Sequence, residues 1–85
     1  MPHTYILRCA DETLYVGSTT NVEKRLKEHN TSKRGAHYTK IRRPVVLLYQ
    51  ESYETIGEAL KREAEIKRWT RAKKLDFLTN AVNGK

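Results

Sequence analysis

The sequence predicts an α/β protein of the α+β type. A three-stranded, mostly antiparallel sheet is flanked by helices in the order β-β-α-β-α-α. Three observations carry this. Two alternating apolar runs, "HTYILRC" and "TLYVGS", stand on either side of the short stretch "ADE". A continuous apolar run, "VVLLYQE", follows later with the length of a strand. Three other stretches repeat apolar residues at helical spacing, and two of them open on a Thr-x-x-Glu pattern that caps helices. The chain has 85 residues and reads as one domain, 1–85. A chain of this size buries only roughly 60% of its unfolded surface, so its core must be compact.

The first two runs form a hairpin. A three-residue loop sets Cys9 opposite Thr13, Leu7 opposite Tyr15, and Tyr5 opposite Gly17. Tyr5, Leu7, Cys9, Tyr15 and Gly17 then share one face, with the two tyrosines as diagonal neighbours roughly 7–8 Å apart. A two-residue loop would put the tyrosines on opposite faces, because a slip of one residue inverts the pattern. Gly17 has no Cβ and would let a ligand or another backbone approach closely.

The next element is a helix opened by "TNVE", with Thr20 as N-cap and Glu23 reaching back, running to about Asn30. Its body-facing stripe is Val22, Arg25, Leu26 and His29. Glu23 with Lys27 and Lys24 with Glu28 lie outside it as i,i+4 pairs. Residues 31–44, "TSKRGAHYTKIRRP", read as a basic loop with a Gly break. "VVLLYQE" is apolar on both faces and predicts a well-buried strand. Thr55 and Glu58 form the second capping box. The helix they open shows an apolar side of Ile56, Ala59, Leu60 and Ile66, and near its middle sits Glu63. After Thr70 a last helix turns Ala72, Leu75, Leu78, Thr79 and Val82 inward.

Charge narrows the partners. Lys and Arg total 17 against 10 Asp and Glu, a net +7. The excess is uneven. Residues 31–50 hold five basic side chains (Lys33, Arg34, Lys40, Arg42, Arg43) and no acidic one, and residues 66–74 hold Lys67, Arg68, Arg71, Lys73 and Lys74 with no acid. Clustered positive charge is the footprint of a nucleic acid or another polyanion, or simply a solvated basic surface. The lone cysteine, Cys9, excludes an internal disulfide and suits a small buried hydrophobe. No cysteine or histidine spacing suggests zinc. No apolar run has membrane-spanning length, and "MPHTYILRCADE" lacks the features of a signal peptide, so a cytoplasmic protein with no membrane partner is expected.

The polar groups turned inward are Tyr5, Tyr15, Arg25, His29 and Glu63. That set suits phosphodiester cleavage. Arginine grips a phosphate through paired hydrogen bonds. One carboxylate, with waters and a phosphate oxygen, can hold Mg²⁺. A tyrosine could accept the proton of the attacking water, although a free phenol pKa near 10 requires help from a nearby cation. Each residue also has a plain structural role available. The tyrosines can be cross-strand packing, Arg25 a solvated or Glu63-paired arginine, and His29 a cation at a helix C-terminus. Pattern alone leaves Glu63 open between ligand and structural ion pair.

The stretch "TYILRCADETLYVGSTTNVEKRLKEHN" resembles the opening of a GIY-YIG nuclease domain, and "EALKREAEIK" resembles that family's metal-site helix. The likeness covers almost the whole chain and is closest to small stand-alone bacterial members, which share "GAxYT" (Gly35, Ala36, Tyr38, Thr39) and "IKxW" (Ile66, Lys67, Trp69). The resemblance implies a metal-dependent DNA endonuclease using Mg²⁺ or Mn²⁺. Glu63 would bind the metal, Arg25 would hold the scissile phosphate, and Tyr15 would be the general base, assisted by Tyr5 and His29. Gly17, Lys33, Arg34, His37, Tyr38, Lys40, Arg42, Arg43 and Lys67 are the candidate nucleic-acid contacts. Departures are His3 and Thr4 in place of glycine and isoleucine, and Ser18 where some repair members carry lysine; Asn80 and Asn83 are given no role. Two other readings stand beside the nuclease: a non-catalytic nucleic-acid-binding module, with Tyr38 and Trp69 as stacking candidates, and a protein-interaction adaptor on a degenerate nuclease fold.

Overall fold

The computed structural model describes residues 1–31 and 37–83, and at 82 and 83 the backbone alone. Its elements are β1 (His3–Arg8), β2 (Leu14–Thr19), α1 (Val22–Thr31), α2 (His37–Lys40), β3 (Val46–Ser52), α3 (Ile56–Lys67) and α4 (Arg71–Asn83). The antiparallel sheet has the order β2-β1-β3. The predicted architecture holds, with one short helical turn, α2, inside the stretch expected to be loop.

The hairpin has the predicted register. Tyr5 pairs with Gly17 and Leu7 with Tyr15. Cys9 N donates to Thr13 O at 2.8 Å, closing the three-residue loop. Glu12 takes the left-handed conformation, φ 72°, that such loops need. Asp11 Oδ1 accepts from the Thr13 hydroxyl at 2.6 Å and from its amide at 3.1 Å, fixing the turn.

Pleating divides the core in two. On one face Tyr5, Leu7, Cys9 and Val45 pack with Tyr15, Leu26, Tyr38 and Leu47 beneath α1 and α2. On the other, Ile6, Val16, Ile66 and Leu78 pack with Leu14, Leu48, Tyr49, Trp69 and Phe77 beneath α3 and α4. Burying side chains such as Ile6, Leu7 and Ile66 stabilises by roughly 1.5–3 kcal/mol each.

Several local expectations are corrected. The N-cap of α1 is Asn21, whose Oδ1 accepts from Lys24 N at 3.0 Å; Thr20 lies outside the helix because the Thr19 hydroxyl first binds Asn21 N. On that helix Glu28 pairs with Arg25, three residues away, at 3.0 Å. β3 is an edge strand and only partly covered, with Val46 exposed; the most buried strand is β1, in the centre, enclosed from Thr4 to Leu7. Thr55 and Glu58 do form their capping box. In α3, however, Ala59 and Ile66 are innermost while Ile56 and Leu60 are exposed. Thr4 Oγ1 donates to Ala59 O at 2.7 Å, and this tie sets the helix's rotation. Thr70 caps α4, whose Oγ1 accepts from Lys73 N at 3.1 Å. Phe77 meets Tyr49 and Trp69 edge-on, at 5.0 and 5.2 Å, and turns Phe77 and Leu78 inward. Ala72, Leu75 and Thr79 therefore face out. The Val82 side chain lies outside the described residues. Trp69 is a packing residue.

Candidate active site

Tyr5 lies on the central strand and is buried. Its ring crosses the place a side chain at 17 would occupy: a Cβ there would stand 2.5 Å from Tyr5 Oη and 2.7 Å from Cζ. What approaches Gly17 is this phenol, so the glycine shapes the site rather than facing a ligand. Tyr5 Oη is 2.9 Å from His29 Nε2, and His29 Nδ1 is 2.7 Å from Thr39 Oγ1. His29 and Thr39 are both fully enclosed. The Tyr15 ring lies 6.5 Å from Tyr5, 5.1 Å from His29 and 5.9 Å from Tyr38.

Arg25 completes this face. Its Nη1 donates to Glu28 Oε1 at 3.0 Å. A neutral imidazole has one donor and one acceptor nitrogen, so His29 can link the Tyr5 and Thr39 hydroxyls in one chain. Burial, reinforced by Tyr15, pushes the Tyr5 phenol up to about 12. Burial, reinforced by the Arg25 charge, pushes His29 down to about 4. At neutral pH both are uncharged. His29 is therefore not the helix-terminal cation that its position allowed.

Glu63 arrives from the other face of the sheet. Its Oε1 accepts from Ser18 Oγ at 2.5 Å, and its Oε2 pairs with Lys67 Nζ at 2.7 Å. Ser18 follows Gly17 on β2, an edge strand. No group of three or more His, Cys, Asp or Glu able to hold a metal occurs among the described residues. Glu63 fits a divalent cation all the same. Mg²⁺ commonly uses one or two carboxylates together with waters and phosphate oxygens, and one oxygen of Glu63 already faces a cation.

The candidate nucleic-acid contacts divide. His37 and Lys40 are exposed on α2. Arg42 is built into the fold: it pairs with Asp11 at 3.0 Å, bonds Tyr38 O, and lies 3.9 Å over the Tyr38 ring. That guanidinium covers a ring face proposed for base stacking. Arg43 donates to the carbonyls of His29 and Glu28 near the end of α1. Lys67 is paired with Glu63. Lys33, Arg34, Gly35 and Ala36 lie outside the described residues. Sequence reasoning missed Ser18, Thr39 and Glu28 as partners of the central groups. Ser18 and Thr39 did stand inside the quoted motifs, but nothing in their spacing marked which side chain each would hold.

Sheet, helices and this set of side chains define a GIY-YIG catalytic domain. A family model of that description matches residues 1–76, and the chain belongs to the GIY-YIG family, a nuclease superfamily. Its individual relatives are UPF0213 proteins. The one from Syntrophus aciditrophicus is 54% identical over 76 residues, spanning 89% of this chain and 87% of that protein. UPF0213 protein SA0446 from Staphylococcus aureus is 58% identical over 74 residues, spanning 87% and 89%. The solution NMR structure of the UPF0213 protein BH0048 from Bacillus halodurans has a TM-score of 0.60 at 38% identity, covering 93% of this chain and 84% of that one. That of EF2693 from E. faecalis has a TM-score of 0.60 at 42% identity, covering 92% and 82%.

Proposed function

We propose that the protein is a divalent-metal-dependent endonuclease that hydrolyses phosphodiester bonds in DNA, including nicked, branched or single-stranded forms. One observation carries this reading. A buried polar chain, Tyr5–His29–Thr39, lies against the Tyr15 ring. An apolar core gains little from such a network, because buried polar groups must all be satisfied to avoid a penalty. Its geometry does suit catalysis, where groups must be fixed before the reaction begins.

In this reading Glu63 holds Mg²⁺ or Mn²⁺, which when bound supplies a Lewis acid at the phosphate. Arg25 holds a phosphate oxygen. Tyr15, less buried than Tyr5, acts as the general base that takes the proton of the attacking water. Tyr5 keeps its proton, since its pKa is pushed up to about 12, and serves as a hydrogen-bonding group. His29, neutral because its pKa is pushed down to about 4, positions Tyr5 and packs against Tyr15.

The test is cleavage of end-labelled intact, nicked and single-stranded DNA in Mg²⁺ or Mn²⁺. Wild type should cut at least one form, while Glu63→Ala and Arg25→Ala keep their circular dichroism and do not cut. Equal survival of every substrate with all three proteins overturns the enzyme reading. DNA binding that needs neither metal nor Glu63 and weakens steeply with salt would then support the binding module.

A further inference from the structure

The two oxygens of Glu63 are held in different ways. Oε1 bonds Ser18 Oγ at 2.5 Å, and Ser18 belongs to a strand hydrogen-bonded into the sheet. Oε2 bonds Lys67 Nζ at 2.7 Å, at the tip of a long side chain that is 52% exposed. The first contact is with the rigid frame. The second is with a strongly hydrated ammonium on a flexible stem. Lys67 is the last residue of α3, one turn beyond Glu63, where a cation also suits the helix dipole. Its place is favourable with or without the carboxylate, and i,i+4 pairs on a helix are weak.

We propose that Lys67 is the exchangeable counter-ion of Glu63. A divalent cation takes the Oε2 side by displacing the ammonium, while Ser18 keeps Oε1 fixed. The released Lys67 then contacts a phosphate of the bound strand. Before exchange the carboxylate and ammonium cancel. After it the same spot carries the metal charge and a free ammonium beside one carboxylate, so the site attracts a polyanion only when metal is loaded. Ser18 is a positioning residue, acting through Glu63. The inference rests on Glu63 being the metal-binding carboxylate and adds how that group is guarded.

Mn²⁺ titration followed by water-proton relaxation tests the exchange without any cleavage. Lys67→Gln should bind Mn²⁺ up to about fivefold more tightly than wild type, the upper range of a partly exposed ion pair. Ser18→Ala should bind it about tenfold or more weakly, as when an orienting group behind a ligand is lost. A Glu63→Gln variant that binds Mn²⁺ like wild type overturns the metal-site reading itself. A Glu63-dependent site at which Lys67→Gln binds no more tightly overturns the exchange alone. The second arm measures binding of a short nicked duplex against salt, in a Tyr15→Phe background that keeps the DNA whole. With Mn²⁺ present, Lys67→Gln should lower the log–log salt slope by about one. Without Mn²⁺ the two slopes should coincide. A slope that ignores Lys67 in Mn²⁺, or depends on it equally in both conditions, also overturns the exchange.

Discussion

Replacing Gly17 by alanine tests the most tightly constrained contact of the site. The added methyl would lie 2.5 Å from Tyr5 Oη, 2.7 Å from Cζ and 3.2 Å from Tyr15 Cε2. The first of these is about 1 Å inside comfortable van der Waals separation. The Tyr5 ring cannot yield freely, being buried and bonded to His29 at 2.9 Å. Overpacking of this kind costs about 1–3 kcal/mol. If the ring retreats and breaks the His29 bond, the groups left unpaired cost about 1–3 kcal/mol in addition. The expected loss is therefore about 2–6 kcal/mol if both costs are met in full, a large share of the 5–15 kcal/mol that holds a typical domain together. Urea unfolding followed by the lone tryptophan, Trp69, measures it, because Trp69 packs on the opposite face and reports the whole fold. The midpoint should fall with little change in slope. A Tyr5→Phe/Gly17→Ala double variant removes the nearest atom but leaves Cζ, so the two costs should sum to more than the double variant loses, by at least about 0.5 kcal/mol. A Gly17→Ala protein within about 0.5 kcal/mol of wild type, with unchanged His29 resonances, would refute the packing argument.

The remaining predictions concern protons and ion pairs. His29 binds its proton less readily folded, at about 4, than in an unfolded chain near 6.5, so the unfolded state gains protons first as pH falls. Stability should be full above about 6.5, fall by at most about 3 kcal/mol toward pH 4, and lose this part of its pH dependence in His29→Gln, as read by urea midpoints across pH. Glu51 accepts from Tyr49, Tyr53 and Arg62, each at 2.6 Å; burial opposes its charge, but these bonds win and hold its carboxyl below the usual range. Arg62→Met should cost about 2 kcal/mol at neutral pH, and less in acid once Glu51 is protonated and needs no cation. Cys9 is buried, and burial pushes its thiol up, so a thiol reagent should label it only on unfolding and at the global unfolding rate; fast labelling of native protein would contradict its burial.

How far the sequence could be read depended on how local each cause was. The hairpin register followed from loop length, because a strand has period two and one residue decides the face. Glu63 was visible because a carboxylate interrupts a helical stripe. What escaped was set by contacts distant in sequence. Leu60 and Ala59 are equally plausible inward residues until the Thr4 hydroxyl, 55 positions away, fixes the rotation of α3. The run "VVLLYQE" has the composition of a central strand, yet pairing on one side only makes it an edge. Arg42 and Arg43 belonged to a basic run, and no charge count distinguishes a phosphate contact from a tie to Asp11 or to a helix carbonyl. The partners of the central groups, Ser18 and Thr39, carry small hydroxyls whose direction is settled only by what packs against them.

The enclosure of His29 against the half-open position of Glu63 gives the fold a lopsided tolerance for loss. His29 joins β1, α1 and α2 from within, so a chain that loses it surrenders part of its framework. Glu63 sits nearer the surface with a flexible partner and belongs to neither packed core cluster. Under the proposed function, a copy of this domain that had lost its activity could drop the glutamate and stay folded, but would be pressed to keep the histidine. On that proposal position 63 is the one to read for activity, while a histidine at 29 attests only that the scaffold still stands.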